Sequence, residues 1–192
     1  MEALRVLIAE DEPETRSIIR ARLEKLGHTV VAEAENGAEA VALATTHKPQ
    51  VVIMDIKMPE MDGLEAAKHI MADAPCALLF LTAYSDEELV EEAGASGALA
   101  YLMKPFRKED LPPALDVAVR RWRQIEGQSR EIANLREALE TRKLVERAKG
   151  ILMERQGLRE EEAFRRIHFQ ARNQNRKMRE IAESIITASD LI

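Results

Sequence analysis

Five short apolar runs punctuate the first hundred residues, at 4–9, 29–34, 51–54, 77–81 and 98–102. Each has the length of a strand, and Gly, Pro or acidic residues bound several of them. Between the runs the apolar spacing turns helical. Residues 13–26 set Ile18, Ile19, Leu23 and Leu26 on one stripe and meet Gly27, a helix stop. Residues 37–46, 63–72 and 86–93 also read as helices, and a fifth begins near Glu109. Strands alternating with helices imply βαβ units, hence an α/β fold: a doubly wound five-stranded parallel sheet covered on both faces. Ligands of such sheets bind at the carboxyl ends of the strands.

The fifth helix has no evident stop. After Pro113 no proline follows, and up to about residue 156 only Gly127 and Gly150 interrupt a helix-favouring composition. Ile125, Ile132 and Leu139 recur every seven residues with Leu135 between, a weak coiled-coil seam because Gln128 and Arg142 fall at seam positions. Two readings stay open, a homodimer through this seam and a lone linker helix with one apolar stripe. Beyond Gly157, residues 160–171 offer Ala163, Phe164, Ile167 and Ala171 to a core, and three glutamates suit the first-turn dipole. After Asn173 to Asn175, Met178, Ile181, Ala182, Ile185 and Ile186 form a second stripe. With Val145, Ala148 and Leu152 of the long helix, these make an all-α three-helix cluster.

Charge separates the two halves. Residues 1–120 carry 12 Lys+Arg against 22 Asp+Glu, and 121–192 carry 16 against 12, so an acidic half at −10 precedes a basic one at +4. Between Glu162 and Glu180 there are six basic side chains and no acidic one, which suggests a polyanionic partner. No run is long enough to span a membrane, and the opening residues lack a secretory layout, so a cytoplasmic location and no membrane partner are expected. The single cysteine, Cys76, sits in an apolar run and reads as core.

Glu10 and Asp11 end the first strand and Asp55 ends the third. In a parallel sheet these carboxylates meet at one edge, where a hard cation such as Mg²⁺ would offset their repulsion. Thr82 ends the fourth strand and Lys104 follows the fifth, supplying a hydroxyl and a point charge for phosphoryl oxygens. Lys104 precedes Pro105, where a cis bond would aim the lysine inward.

The motifs VLIAEDEP, VVIMDIKMPEMDG, LTAYS and YLMKPF, in this order and spacing, resemble the receiver domain of two-component response regulators over residues 1–122. The resemblance implies strand order 2-1-3-4-5, Asp55 as phosphoacceptor and a histidine kinase as donor. It implies Mg²⁺ held by Asp11, Asp55 and the backbone carbonyl of Lys57, with Glu10 nearby. It also implies a switch in which Thr82 shifts inward and Tyr101 becomes buried. Where the family commonly has an aspartate this chain has Glu10, with the charge kept and the reach one methylene longer.

The tail carries AKGILM, then EAF and IAESII, and resembles the ANTAR domain, a three-helix RNA-binding output, over about residues 130–192. A continuous linker helix over 113–140 joins the two. The resemblance implies transcription antitermination through paired hairpins in nascent transcripts. Arg142 and Lys149, seven residues apart, share a face of the long helix, and Arg166, Arg172, Asn173, Arg176 and Lys177 join them as candidate RNA contacts. Guanidinium groups neutralise phosphates and stack on unpaired bases, so a hairpin loop suits them better than a duplex. A DNA-binding or protein-binding helical output remains the alternative. An enzymatic tail is not expected, since it has neither a ligand cluster nor a nucleophile beside a base, and His28, His47, His69 and His168 are scattered.

Overall fold

The computed structural model describes residues 2–83 and 100–190. The helix expected at 86–93, the first two residues of the fifth apolar run, and Tyr84 and Ser85 of LTAYS lie outside the described residues. The chain divides into two compact units, residues 1–126 and 127–192.

In the first unit, β1 (Arg5–Ala9), β2 (Thr29–Ala34), β3 (Val51–Asp55), β4 (Ala77–Ala83) and β5 (Ala100–Lys104) form one parallel sheet in the order β2-β1-β3-β4-β5. Successive strand residues point to opposite faces, and the two cores follow from that alternation. Val6, Ile8, Val51, Ile53, Leu79 and Leu81 pack on one side with Ile19 and Leu23 of α1 (Pro13–Lys25). Leu7, Val52, Met54, Leu78 and Phe80 pack on the other with α2 (Gly37–His47) and α3 (Gly63–Asp73). Both faces are covered, so β3 is buried at every residue, as a central parallel strand requires. Side-chain caps start two of the helices, where Asn36 accepts from Glu39 N and Asp62 from Glu65 N.

Helix α4 runs from Leu111 to Gln156, starting two residues later than the sequence suggested. Its first turn holds Pro112 and Pro113, where no amide donor is needed. Leu111, Leu115 and Ala118 are buried against the sheet, with Trp122 partly so. At residues 127–140 every side chain is exposed, including Ile132, Leu135 and Leu139 of the seven-residue seam.

In the second unit, Val145, Ala148 and Leu152 of α4 meet Ala163, Ile167 and Ala171 of α5 (Glu160–Asn173) and Ile181, Ala182 and Ile186 of α6 (Met178–Asp190). Phe164 departs from expectation. It is 44% exposed and stacks on His168, because the core takes positions i, i+4 and i+8 starting from Ala163, and the next residue turns about 100° away. The turn between α5 and α6 closes with Asn175 in the left-handed region at φ 50° and Arg176 N donating to Ala171 O. Among the described residues no helix is long and apolar enough to cross a membrane.

Candidate functional site

The strand register brings the acidic residues together. Ala9 pairs with Met54, so Glu10 and Asp55 leave adjacent strands side by side. Asp55 pairs with Leu81, which sets Thr82 one residue beyond it, and Thr82 pairs with Met103, which places Lys104 next. Carboxylate oxygens of Glu10, Asp11 and Asp55 lie within 4.8 Å of one another. Asp11 is exposed, whereas Glu10 has no exposed surface and Asp55 only 8%.

Lys104 closes this cluster. Its Nζ donates to Asp55 Oδ2 at 2.5 Å and to Glu10 Oε1 at 3.0 Å. Burial works against the lysine charge, but hydrogen bonds to Asp55 and Glu10 outweigh it and hold the pKa above its usual 10.5. For Glu10, burial is the leading effect and raises its pKa; the Lys104 hydrogen bond opposes it and the Asp55 charge adds to it. Glu10 Oε2 is buried 2.7 Å from the ammonium yet out of line for a hydrogen bond.

Three carboxylates against one ammonium leave an excess of negative charge, and one buried carboxylate oxygen has no hydrogen-bond donor. That donor set is all oxygen and suits a hard divalent cation. The residues therefore fit Mg²⁺. Lys57 N donates to Asp55 Oδ1 at 3.3 Å, so the backbone after Asp55 turns back toward the site. Thr82 is 1% exposed and its hydroxyl donates to the Ala83 carbonyl. The Lys104–Pro105 bond is cis. Tyr101 is half-buried and stacked on Phe80 with ring centroids 6.5 Å apart; burial raises its pKa against the effect of Arg121.

Two supports escaped the sequence reading. Arg16 donates to the Glu10 carbonyl and pairs with Glu33 and Glu35, anchoring the acidic end of β1. Nothing in its local sequence distinguished it from other arginines on helices. Gly63 opens α3 against Asp55, and a Cβ there would lie 2.1 Å from the Asp55 carbonyl oxygen. A glycine closing the MPEMDG turn was the available signal.

The output candidates divide by burial. Arg142, Arg166, Arg172, Asn173, Arg176 and Lys177 are all exposed. Arg176 is tied down by Gln174, Glu180 and Ser184, Lys177 lies 3.7 Å from Glu137, and Arg166 donates to Gln156. Lys149 is different, at only 6% exposed, with its ammonium on Glu146 at 2.9 Å and Glu160 at 2.7 Å. The spacing that sets it on the face of Arg142 also sets it four residues after buried Val145 and three before Leu152, so it borders the core stripe. Expected as an RNA contact on the face of Arg142, Lys149 pairs with Glu146 on α4 and with Glu160 on α5, whose own side chains are exposed.

Residues 6–116 match the response regulator receiver domain family and residues 133–186 the ANTAR domain family. Over 182 residues the chain is 47% identical to transcriptional regulatory protein PdtaR of Mycobacterium tuberculosis H37Rv, covering 95% of this chain and 89% of that one. It is 41% identical over 115 residues to chemotaxis protein CheY of Bacillus subtilis, covering 59% of this chain and 96% of that one. The signal receiver domain of a modulated diguanylate cyclase from Desulfovibrio desulfuricans G20 superimposes with a TM-score of 0.60 at 29% identity, over 64% of this chain and 98% of its own.

Proposed function

Since the chain belongs to the two-component response regulators, with a receiver domain followed by an RNA-binding ANTAR output, we propose that phosphorylation of Asp55 switches it as a transcription antiterminator acting on paired RNA hairpins. The observation that carries the receiver half is the contact of Lys104 with both Asp55 and Glu10 at the carboxyl edge of the sheet.

In the proposed reaction an Asp55 carboxylate oxygen attacks the phosphorus of a kinase phosphohistidine. A P–O bond forms as the P–N bond breaks, and the imidazole leaves with a solvent proton. Glu10, Asp11, Asp55 and the Lys57 carbonyl are the residues that would hold Mg²⁺, which supplies charge neutralisation for phosphoryl oxygens. Lys104 moves from the Asp55 carboxylate to a phosphoryl oxygen, and the Thr82 hydroxyl turns from the Ala83 carbonyl to another. The space Thr82 vacates favours a more buried Tyr101, which shifts the population between two packings of this face.

On the output side, Arg142, Arg166, Arg172, Asn173, Arg176 and Lys177 are the proposed RNA contacts, and Lys149 a positioning residue that holds α5 on α4. Ile125, Ile132 and Leu139, with Leu135, are exposed at seam spacing and suit a second copy of the chain in the active state. Binding to two hairpins at once would then follow from pairing two outputs.

Acetyl phosphate should add about 80 Da to the wild type and nothing to Asp55→Asn. Light scattering and hairpin-RNA affinity should rise together in the wild type alone. Equal mass gain in both proteins, or a preference for duplex DNA over hairpin RNA at matched salt, would reject the reading.

A further inference from the structure

The output unit holds a concavity of about 240 Å³ distinct from the larger one beside Arg142. Ile151 and Leu152 of α4 and Ile185 of α6 give it an apolar floor, and Arg155, Gln156, Arg166 and Gln170 stand around the rim. No carboxylate lines it among the described residues, whereas Glu137 and Glu146 flank Arg142 in the larger concavity. A phosphate-bearing ligand is therefore favoured at the smaller site.

Both guanidinium groups have a hydrogen-bond partner on another helix. Arg166 Nη1 donates to Gln156 Oε1 at 2.8 Å, and Arg155 Nη2 donates to the Ser189 carbonyl at 2.7 Å. Each bond uses one of the several N–H groups of an arginine, so other donors remain for a ligand. Drug-sized ligands fill pockets of about 300–1,000 Å³; this one is smaller and suits a single ring system. Planar guanidinium groups stack on bases, and a side-chain amide such as that of Gln170 offers both donor and acceptor to a base edge.

We propose that this pocket takes one unpaired nucleobase from the loop of the bound RNA, with Arg155 and Arg166 on its face and adjoining phosphate and Gln170 at its edge. The assignment rests on the RNA-binding output and makes it base-selective at one loop position.

The full chain, treated with acetyl phosphate, is offered tandem-hairpin RNAs with randomised loops, and a selected RNA is remade with an abasic site at each loop position in turn. At one position the missing base should weaken wild-type binding about ten- to hundredfold, the range for one stacked base. Ala188→Trp fills the pocket from its exposed rim; it should lose a similar factor on intact RNA and be indifferent to that abasic site. Arg166→Lys keeps the charge without the plane, and should lose about tenfold with the salt slope unchanged. Far-UV circular dichroism checks the fold of each variant, and should Ala188→Trp misfold, Arg166→Lys carries the test.

Wild-type affinity and an unchanged abasic profile in the folded variants would overturn the pocket and leave the RNA-binding output standing. A pool that yields no bound RNA would overturn both. If AMP, GMP, CMP or UMP perturbs the Ile151 and Ile185 methyl signals and the selected RNA does not compete, the ligand is a free nucleotide and the loop assignment fails.

Discussion

In the receiver unit the charged groups of the site are few and, Asp11 apart, enclosed: Glu10 and Asp55 are buried at strand ends, and Lys104 bonds to both. In the output unit the corresponding groups are many and open, and of the seven basic or amide candidates only Lys149 is buried. The difference follows from what each surface handles. Phosphoryl transfer depends on donors held at fixed positions where charge develops, so the sheet must set them. RNA contact depends on reach and on the release of counterions, which exposed arginines provide without a rigid frame. An ion pair therefore carries different information in each unit. Lys104 pairs with carboxylates that are themselves buried, whereas Lys149 pairs with carboxylates that are exposed.

The comparison breaks most visibly through the output core. Ile167 has no exposed surface, and Ile167→Ala should cost about 3 kcal/mol in chemical denaturation of the output unit. Acetyl phosphate should still modify Asp55 in that variant. A parallel loss of phosphorylation would show that the two sites are coupled. Next in size is Gly63→Ala, whose new Cβ would meet the Asp55 carbonyl at 2.1 Å. It should cost about 2 kcal/mol as an overpacked contact, and slow phosphoryl uptake by moving the acceptor. Normal uptake rates would remove Gly63 from the site.

The smallest effect sharpens the contrast between the two lysines. A hydrogen bond from Lys149 holds the Glu160 carboxyl below its usual value of 4.5. That stabilisation is fully present above the unfolded value and is lost as pH falls through the lowered folded one. Lys149→Met should therefore melt slightly earlier than wild type at pH 7, with the gap closing as the solution is acidified below about pH 4.5. Its RNA salt slope should match wild type, because the ammonium is not on phosphate. A slope reduced by about one would return Lys149 to the contact surface.

Most of the receiver was legible before folding. Val6 through Ala9, Val51 through Met54 and Ala77 through Leu81 are apolar on both faces, and only a central parallel strand buries both. Once the strands are parallel, residues that follow their carboxyl ends converge without further information, which is why Glu10, Asp55, Thr82 and Lys104 could be read together. Arg16 was illegible because its importance lies in reaching the Glu10 carbonyl from a neighbouring helix. Phe164 misled because helical spacing admits two adjacent residues near the edge of a stripe, and only packing chooses between them.

By itself the sequence determined the order of elements and which residues stand at the strand ends, since periodicity and strand-end position are local properties of the chain. Tertiary structure alone decided which charges face inward. That choice fell on Lys149, whose neighbours along α4 and whose partner Glu160 on α5 meet only when the helices pack. It also brought Arg155 and Arg166 to one pocket, because Ser189 and Gln156 come within hydrogen-bonding distance only across helices. Burial and long-range contact are properties of the packed chain, and spacing along a single helix does not contain them.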